Sequence, residues 1–257
     1  MSGWLDKLPL EIATIGYNVG TSWIIVLLYM AILFAIVHIC GLLSWIPKQY
    51  LHQSNLGTTI LCVLLLVLFS YARYHYEDKK RVELVLNGKG KIKETKKLVL
   101  VSDLHLGYHN RRQDLHRWLE QIKAEEPDAL LIAGDLIDRT IKPVKEERAE
   151  EEFKELGFPV YAIYGNHDYY TGVAADREFC EKAGIKLLKD EIAYFDDIAI
   201  IGRDDRTNVH RKTLAQLMDK VDRSKYIIEL DHQPYHLEEA EENCVDFEFA
   251  GHTHHGQ

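Results

Sequence analysis

The stretch Lys97–His105, KLVLVSDLH, decides how the chain is read. Its aliphatic run Leu98–Val101 reads as a short strand, and directly beyond the strand stand Asp103 and His105. Four more runs end the same way: ALLIAG before Asp135, VYAIYG before Asn166, His167 and Asp168, YIIEL before Asp231 and His232, and VDFEFAG before His252 and His254. Each of the five runs therefore delivers, at its carboxyl end, a residue able to bind a metal. Taken singly, an aspartate or histidine after a strand is an ordinary turn former, helix cap or satisfied polar group. Five in order are hard to produce by chance.

Helical patterns lie between several of these runs. In residues 110–127, Leu115, Trp118, Leu119 and Ile122 fall on one face with charge on the other. Residues 143–157 open with Pro143 and close at Gly157, as helix start and stop signals do. Strand-helix alternation predicts an α/β architecture with helices against a largely parallel sheet, where chemistry gathers beyond the carboxyl ends of the strands. In an extended segment, residues i and i+2 point the same way, so Asp103 with His105, and His252 with His254, are expected to converge. Gly134, Gly165 and Gly251 precede three of the tips and would let backbone come close to an ion. His255 would face away from that pair, toward surface or substrate. His109, His116, His210 and His236 lack such a context and read as surface residues.

The amino-terminal region is of another kind. Residues 23–43, WIIVLLYMAILFAIVHICGLL, carry no formal charge and match the length needed to cross a hydrocarbon core of about 30 Å. Residues 56–72 form a second, shorter run followed by Arg73, Lys79, Lys80 and Arg81, and the basic character continues through Lys89, Lys91, Lys93, Lys96 and Lys97. Neither run shows the polar stripe of a buried core helix. The stretch before residue 23 is not basic, unlike a cleaved signal peptide. The expected organisation is a membrane region at 1–76 with two transmembrane helices, a basic juxtamembrane segment at 77–96, and a folded body at 97–257. The positive-inside rule puts the amino terminus and the body of this multi-pass membrane protein in the cytoplasm.

Acidic residues outnumber basic ones 40 to 31, which argues against a nucleic-acid partner. The four cysteines form no C-x-x-C pair, so any metal must be held by nitrogen and oxygen.

The ordered set DLH (103–105), GDLID (134–138), GNHD (165–168), DHQP (231–234) and GHTH (251–254) resembles the calcineurin-like metallophosphoesterases, from about Leu98 onward. The two spans, GRDD at 202–205 and the closing GHTHHGQ resemble their membrane-associated bacterial branch. That branch includes phosphodiesterases and UDP-diacylglucosamine hydrolases, and ordinarily has glycine where His255 stands. The resemblance implies a two-sheet sandwich flanked by helices, with further strands beyond GHTH that this chain, ending at Gln257, would lack. It implies two divalent ions, manganese foremost with iron, zinc or magnesium as alternatives. One ion would be held by Asp103, His105 and His254, the other by Asn166, His232 and His252, with Asp135 bridging. His167 would protonate the leaving oxygen and Asp168 would orient it, while Asp138 and Arg139 would support the tip that carries Asp135. The implied reaction is hydrolysis of a phosphodiester or pyrophosphate by metal-activated hydroxide, in a substrate that is lipid-linked if the basic flank meets anionic lipid. Two other readings stand beside it: a nucleotide phosphodiesterase or nuclease, and a membrane receptor whose metal site is idle.

Overall fold

The computed structural model describes residues 2–47, 50 and 54–254, and the chain separates into two compact units, residues 16–86 and residues 1–15 together with 87–257. The reading of His255 lies outside the described residues. After a short helix α1 (Ser2–Leu5) come α2 (Leu10–Leu42) and α3 (Asn55–Glu77). At 33 and 23 residues they extend about 50 and 35 Å, enough to cross a hydrocarbon core. Both are longer than the apolar runs, because the helical hydrogen bonding continues into the polar flanks. Ser54 begins α3 by accepting a hydrogen bond from the Gly57 N–H. Ile24, Leu28, Leu66 and Val67 stand exposed, and α3 buries no residue, so these apolar surfaces are not those of a soluble core. They are two candidate membrane helices, which by length and composition suggest association with a membrane.

The other unit is a four-layer α/β sandwich. Its elements run β1 (Leu98–Val101), α4 (Arg112–Ala124), β2 (Ala129–Ile132), α5 (Lys142–Glu146), α6 (Glu150–Lys154), β3 (Val160–Ala162), α7 (Asn166–Thr171), α8 (Val173–Ala183) and β4 (Lys186–Leu187). There follow β5 (Glu191–Phe195), β6 (Ile198–Gly202), α9 (Leu214–Met218), β7 (Tyr226–Leu230), α10 (Glu238–Glu242) and β8 (Phe247–Phe249). The first sheet is parallel in the order β1-β2-β3-β4, and the second, β5-β6-β7-β8, is parallel except for β5. The five tips that carry the candidate ligands are thus divided between two sheets, three on the first and two on the second.

Period-2 alternation sorts each strand between layers. Leu130 and Ile132 of β2 face the helices with Leu115, Leu119 and Phe153, whereas Leu131 faces the other sheet with Ile163, Ile200 and Ile228. On β6, Ile198 and Ile200 fill the space between sheets while Ala199 and Ile201 pack under Leu214, Leu217 and Met218 of α9. The single helix expected across 143–157 is two short ones, because Arg148 adopts φ +56° and breaks the hydrogen-bonded run. Val144, Ala149 and Phe153 are all buried in that bent arrangement.

The packing is tight at Gly202, where a Cβ would lie 2.2 Å from Leu188 Cβ and 2.9 Å from Ile163 Cγ2. Gly202→Ala is expected to destabilise this unit by about 1–3 kcal/mol through overpacking, seen as a lower denaturation midpoint of the detergent-solubilised protein with its helical signal retained.

Candidate metal centre

The tips are not extended. Asp103, His105, Asp135, His252 and His254 have φ of +56°, +44°, +52°, +68° and +45°. The expectation of i, i+2 alternation is therefore replaced by left-handed turns, a conformation that aspartate and histidine adopt more readily than most residues. Backbone hydrogen bonds zip the first two tips together: Asp103 N–H donates to Gly134 O, His105 N–H to Asp135 O and Leu106 N–H to Leu136 O. On the far side, the Gly251 N–H donates to His232 O, and the His252 N–H donates to Asp103 Oδ2 at 3.0 Å. The last link crosses from one sheet to the other.

Seven candidate ligands meet. His254 Nε2 lies 3.3 Å from Asp103 Oδ1 and 3.2 Å from His105 Nε2. Asn166 Oδ1 lies 3.1 Å from His232 Nε2 and 3.0 Å from His252 Nδ1. Between these groups sits Asp135, whose Oδ2 is 3.5 Å from His105 Nε2 and 3.2 Å from His232 Nε2. Donors arranged around one cation at about 2.0–2.2 Å are separated from one another by roughly 2.8–3.6 Å, from octahedral to tetrahedral geometry, so these spacings fit. His232 supplies a sharper test. Its Nδ1 is 2.8 Å from Ala133 O, the place for one ring proton, so that in the neutral ring Nε2 is a lone pair facing two oxygens. Such a group calls for a positive charge, carried by a bound cation or by a second ring proton. Burial opposes a charge on His232, but Asp135 outweighs it and raises the ring to about 9. Burial likewise opposes ionisation of Asp103, yet hydrogen bonding to His105 and Ser102 holds it at about 2.

His167 stands beside these groups, its ring 4.5 Å from that of His105 and edge-on to it. Its backbone N–H donates to Asp135 Oδ1 at 2.8 Å, and its ring Nδ1 lies 2.6 Å from Asp138 Oδ1, a contact that raises its basicity. This corrects the expected role of Asp168 in orienting His167. Both residues are on α7, where neighbours in sequence do not face each other. Asp168 instead accepts from the Gly165 N–H at 2.8 Å and the Ile137 N–H at 3.0 Å, and burial pushes it up to about 7. It caps the helix and ties the β3 tip to the β2 tip.

Sequence reasoning gave Asp138 only a supporting place and missed Arg211 altogether. Arg211 holds Asp231 by two hydrogen bonds, at 3.1 and 2.6 Å, and so fixes the tip that carries His232. The acidic residue before His232 was the available signal. GRDD proves to be internal support: Asp204 and Asp205 are fully buried, and Asp204 accepts from the Tyr169 hydroxyl at 2.7 Å.

A sequence model of the calcineurin-like phosphoesterase family matches residues 96–256. Among curated relatives, an uncharacterised metallophosphoesterase of Aquifex aeolicus is 31% identical over 168 residues, 62% of this chain and 63% of that protein. One of Helicobacter pylori is 29% identical over 172 residues, 65% of this chain and 46% of that protein. A transmembrane protein with metallophosphoesterase domain from Danio rerio is 30% identical over 177 residues, 63% of this chain and 40% of that protein. The chain thus spans about half the length of such relatives.

At Gly165 a Cβ would lie 2.1 Å from Asp135 Oδ1 and 2.5 Å from Asp135 N. Gly165→Ala is therefore expected to displace the Asp135 carboxylate and weaken Mn²⁺ binding by about 10–100-fold, measured by titration calorimetry, with the circular-dichroism spectrum unchanged.

Proposed function

The chain belongs to the calcineurin-like phosphoesterases, and on that premise we propose a membrane-anchored, two-metal hydrolase of phosphodiester or pyrophosphate bonds. The observation that carries the reading is the meeting of Asp103, His105, Asp135, Asn166, His232, His252 and His254 from five strand tips on two sheets. In this reading Asp103, His105 and His254 hold one divalent ion, Asn166, His232 and His252 the other, and Asp135 both. The all nitrogen and oxygen donor set suits manganese. Bound there, such ions acidify water and neutralise phosphoryl oxygens. The chain's residues do the rest.

Asp138 holds His167 by Nδ1 and leaves Nε2 free to pass a proton to the departing oxygen. An acid so placed has no purpose in an idle receptor. The catalytic pair proposed is thus His167 with Asp138, and Asp168 keeps the loop in place. The division into a membrane region at 1–76, a basic segment at 77–96 and a phosphoesterase domain from 97, with both apolar helices crossing and the domain cytoplasmic, belongs to the same proposal. So does a lipid-linked substrate such as UDP-diacylglucosamine, supported by the apolar helices and the lysines that follow them.

With Mn²⁺ and a chromogenic phosphodiester, Asp135→Asn is expected to lower kcat/KM by about 10³-fold, the scale of losing a preorganised electrostatic group. Asp138→Asn should lower kcat about 10²-fold with KM little changed, whereas Asp168→Asn should chiefly lower the melting temperature. Equal rates in Asp135→Asn and parent would remove the two-metal reading. For the substrate, turnover of a UDP-linked diacylated sugar in mixed micelles should exceed that of a water-soluble diester. Equal turnover would leave the hydrolase but remove the lipid.

A further inference from the structure

The tips that carry the candidate ligands also carry a second set of polar groups, turned toward the amino terminus of the chain. Tyr108 and Arg111 lie beyond His105 in the β1–α4 connection, and Lys142 begins α5 beyond Asp138. Residues 1–15 belong to the same compact unit as these tips. Lys142 Nζ donates to the carbonyl oxygens of Asp6, at 2.8 Å, and Leu8, at 2.5 Å. Carbonyls just past a helix end lack helical partners, and an ammonium is a fitting donor for them. The Tyr108 hydroxyl donates to Asp6 Oδ1 at 2.7 Å. Arg111 reaches Thr14 Oγ1 at 3.0 Å and Glu11 Oε1 at 3.1 Å, while its Nε donates to Glu147 at 2.9 Å. Leu5 and Ala13 are buried, and Tyr108 is only 2% exposed.

We infer that Tyr108, Arg111 and Lys142 form a receptor for the chain's own amino-terminal segment, and that the docked segment braces the two metal-bearing tips against each other. The segment touches both connections at once. Between them, the Asp138 N–H donates to Leu106 O, beside the hydrogen bonds of His105 and Leu106 to the β2 tip. Anything that holds Tyr108 and Lys142 in register also holds His105 and Asp138 in register. Coupling of this kind is reciprocal: a cation that favours the closed tips favours the docked segment by the same factor. Docking also fixes a parity. With residues 6–14 on the same unit as residues 87–254, the intervening chain crosses a bilayer an even number of times, so α2 and α3 both span or neither does. The bracing rests on the two-metal reading. The docking does not.

Hydrogen exchange of the peptide covering residues 5–14, in the full chain in detergent, tests both without any turnover. Lys142→Met should speed that exchange about tenfold, as expected for losing hydrogen bonds from a charged donor, and Lys142→Arg should restore part of the protection. Exchange of Ile198–Gly202 on β6 should stay unchanged, which separates undocking from unfolding. Mn²⁺ should slow exchange of the segment in the parent about fivefold, with binding followed separately by calorimetry. In sealed vesicles, an impermeant maleimide should reach Trp4→Cys and the exposed Cys244 from the same face. Unaltered exchange in Lys142→Met, or labelling from opposite faces, would overturn the docking. Mn²⁺ that binds by calorimetry without slowing the segment would overturn the brace, and Mn²⁺ that fails to bind would overturn the two-metal reading instead.

Discussion

An imidazole nitrogen aimed at two oxygens is the constraint from which the rest of the centre follows. A neutral His232 spends its one ring proton on Ala133 O, a carbonyl at the end of β2, and meets Asp135 and Asn166 with a lone pair, so the group is held together by a cation or by a second proton on the ring. The three groups come from β2, β3 and β7, that is, from both sheets. Their meeting therefore requires the two sheets to be packed face to face with their carboxyl edges in line. The interior of Leu131, Ile163, Ile200 and Ile228 supplies that packing through buried apolar surface. Acceptors crowded in a buried place repel, and without a compensating cation such a cluster costs several kcal/mol. The hydrophobic layer between the sheets holds the cluster together against this cost.

Around that cluster the protein places further charge. Asp231 is 2% exposed and is held by Arg211, and Arg203 lies 3.4 Å from both Asp231 and Glu229. Burial keeps Glu229 up at about 7 despite the arginine. Buried ion pairs add little net stability against an apolar alternative, because desolvation offsets their attraction. Their use here is directional. A two-point guanidinium contact fixes the carboxylate in angle as well as distance, and Asp231 is the residue that launches His232 into the centre. Arg211 also donates to Asp204 O, so one side chain ties the β7 tip to the end of β6.

The ends of five strands were legible in the sequence because each apolar run stops at a polar residue whose chemistry is visible in one letter. The same rule hid β4, β5 and β6. Lys186–Leu187 is too short to show a pattern, and IAIIG at 198–202 ends in GRDD, whose carboxylates serve packing rather than ligation. Division of the tips between two sheets followed from the family resemblance rather than from periodicity, which predicted one largely parallel sheet. The partner of His167 was misassigned for a geometric reason. Sequence adjacency suggested Asp168, but a helix turns adjacent side chains about 100° apart, and the residue that reaches His167 comes from another strand. Contacts such as Tyr108 with Asp6, separated by 102 positions, leave no periodic trace at all.

The left-handed tips bear on why these residue types recur there. Five of the seven candidate ligands have positive φ, each at some local cost for a residue with a Cβ. Glycine would relieve that cost and remove the ligand. Aspartate and histidine are among the few side chains that tolerate the conformation and also carry a donor atom for a cation. The turn then does what an extended tip could not. It folds the backbone back so that its N–H groups meet the neighbouring tip, as the His252 N–H meets Asp103, while the side chains are thrown together on the inner side. Local strain, ligand identity and contact between the sheets are thus consequences of one backbone choice, made possible by a core rigid enough to hold it.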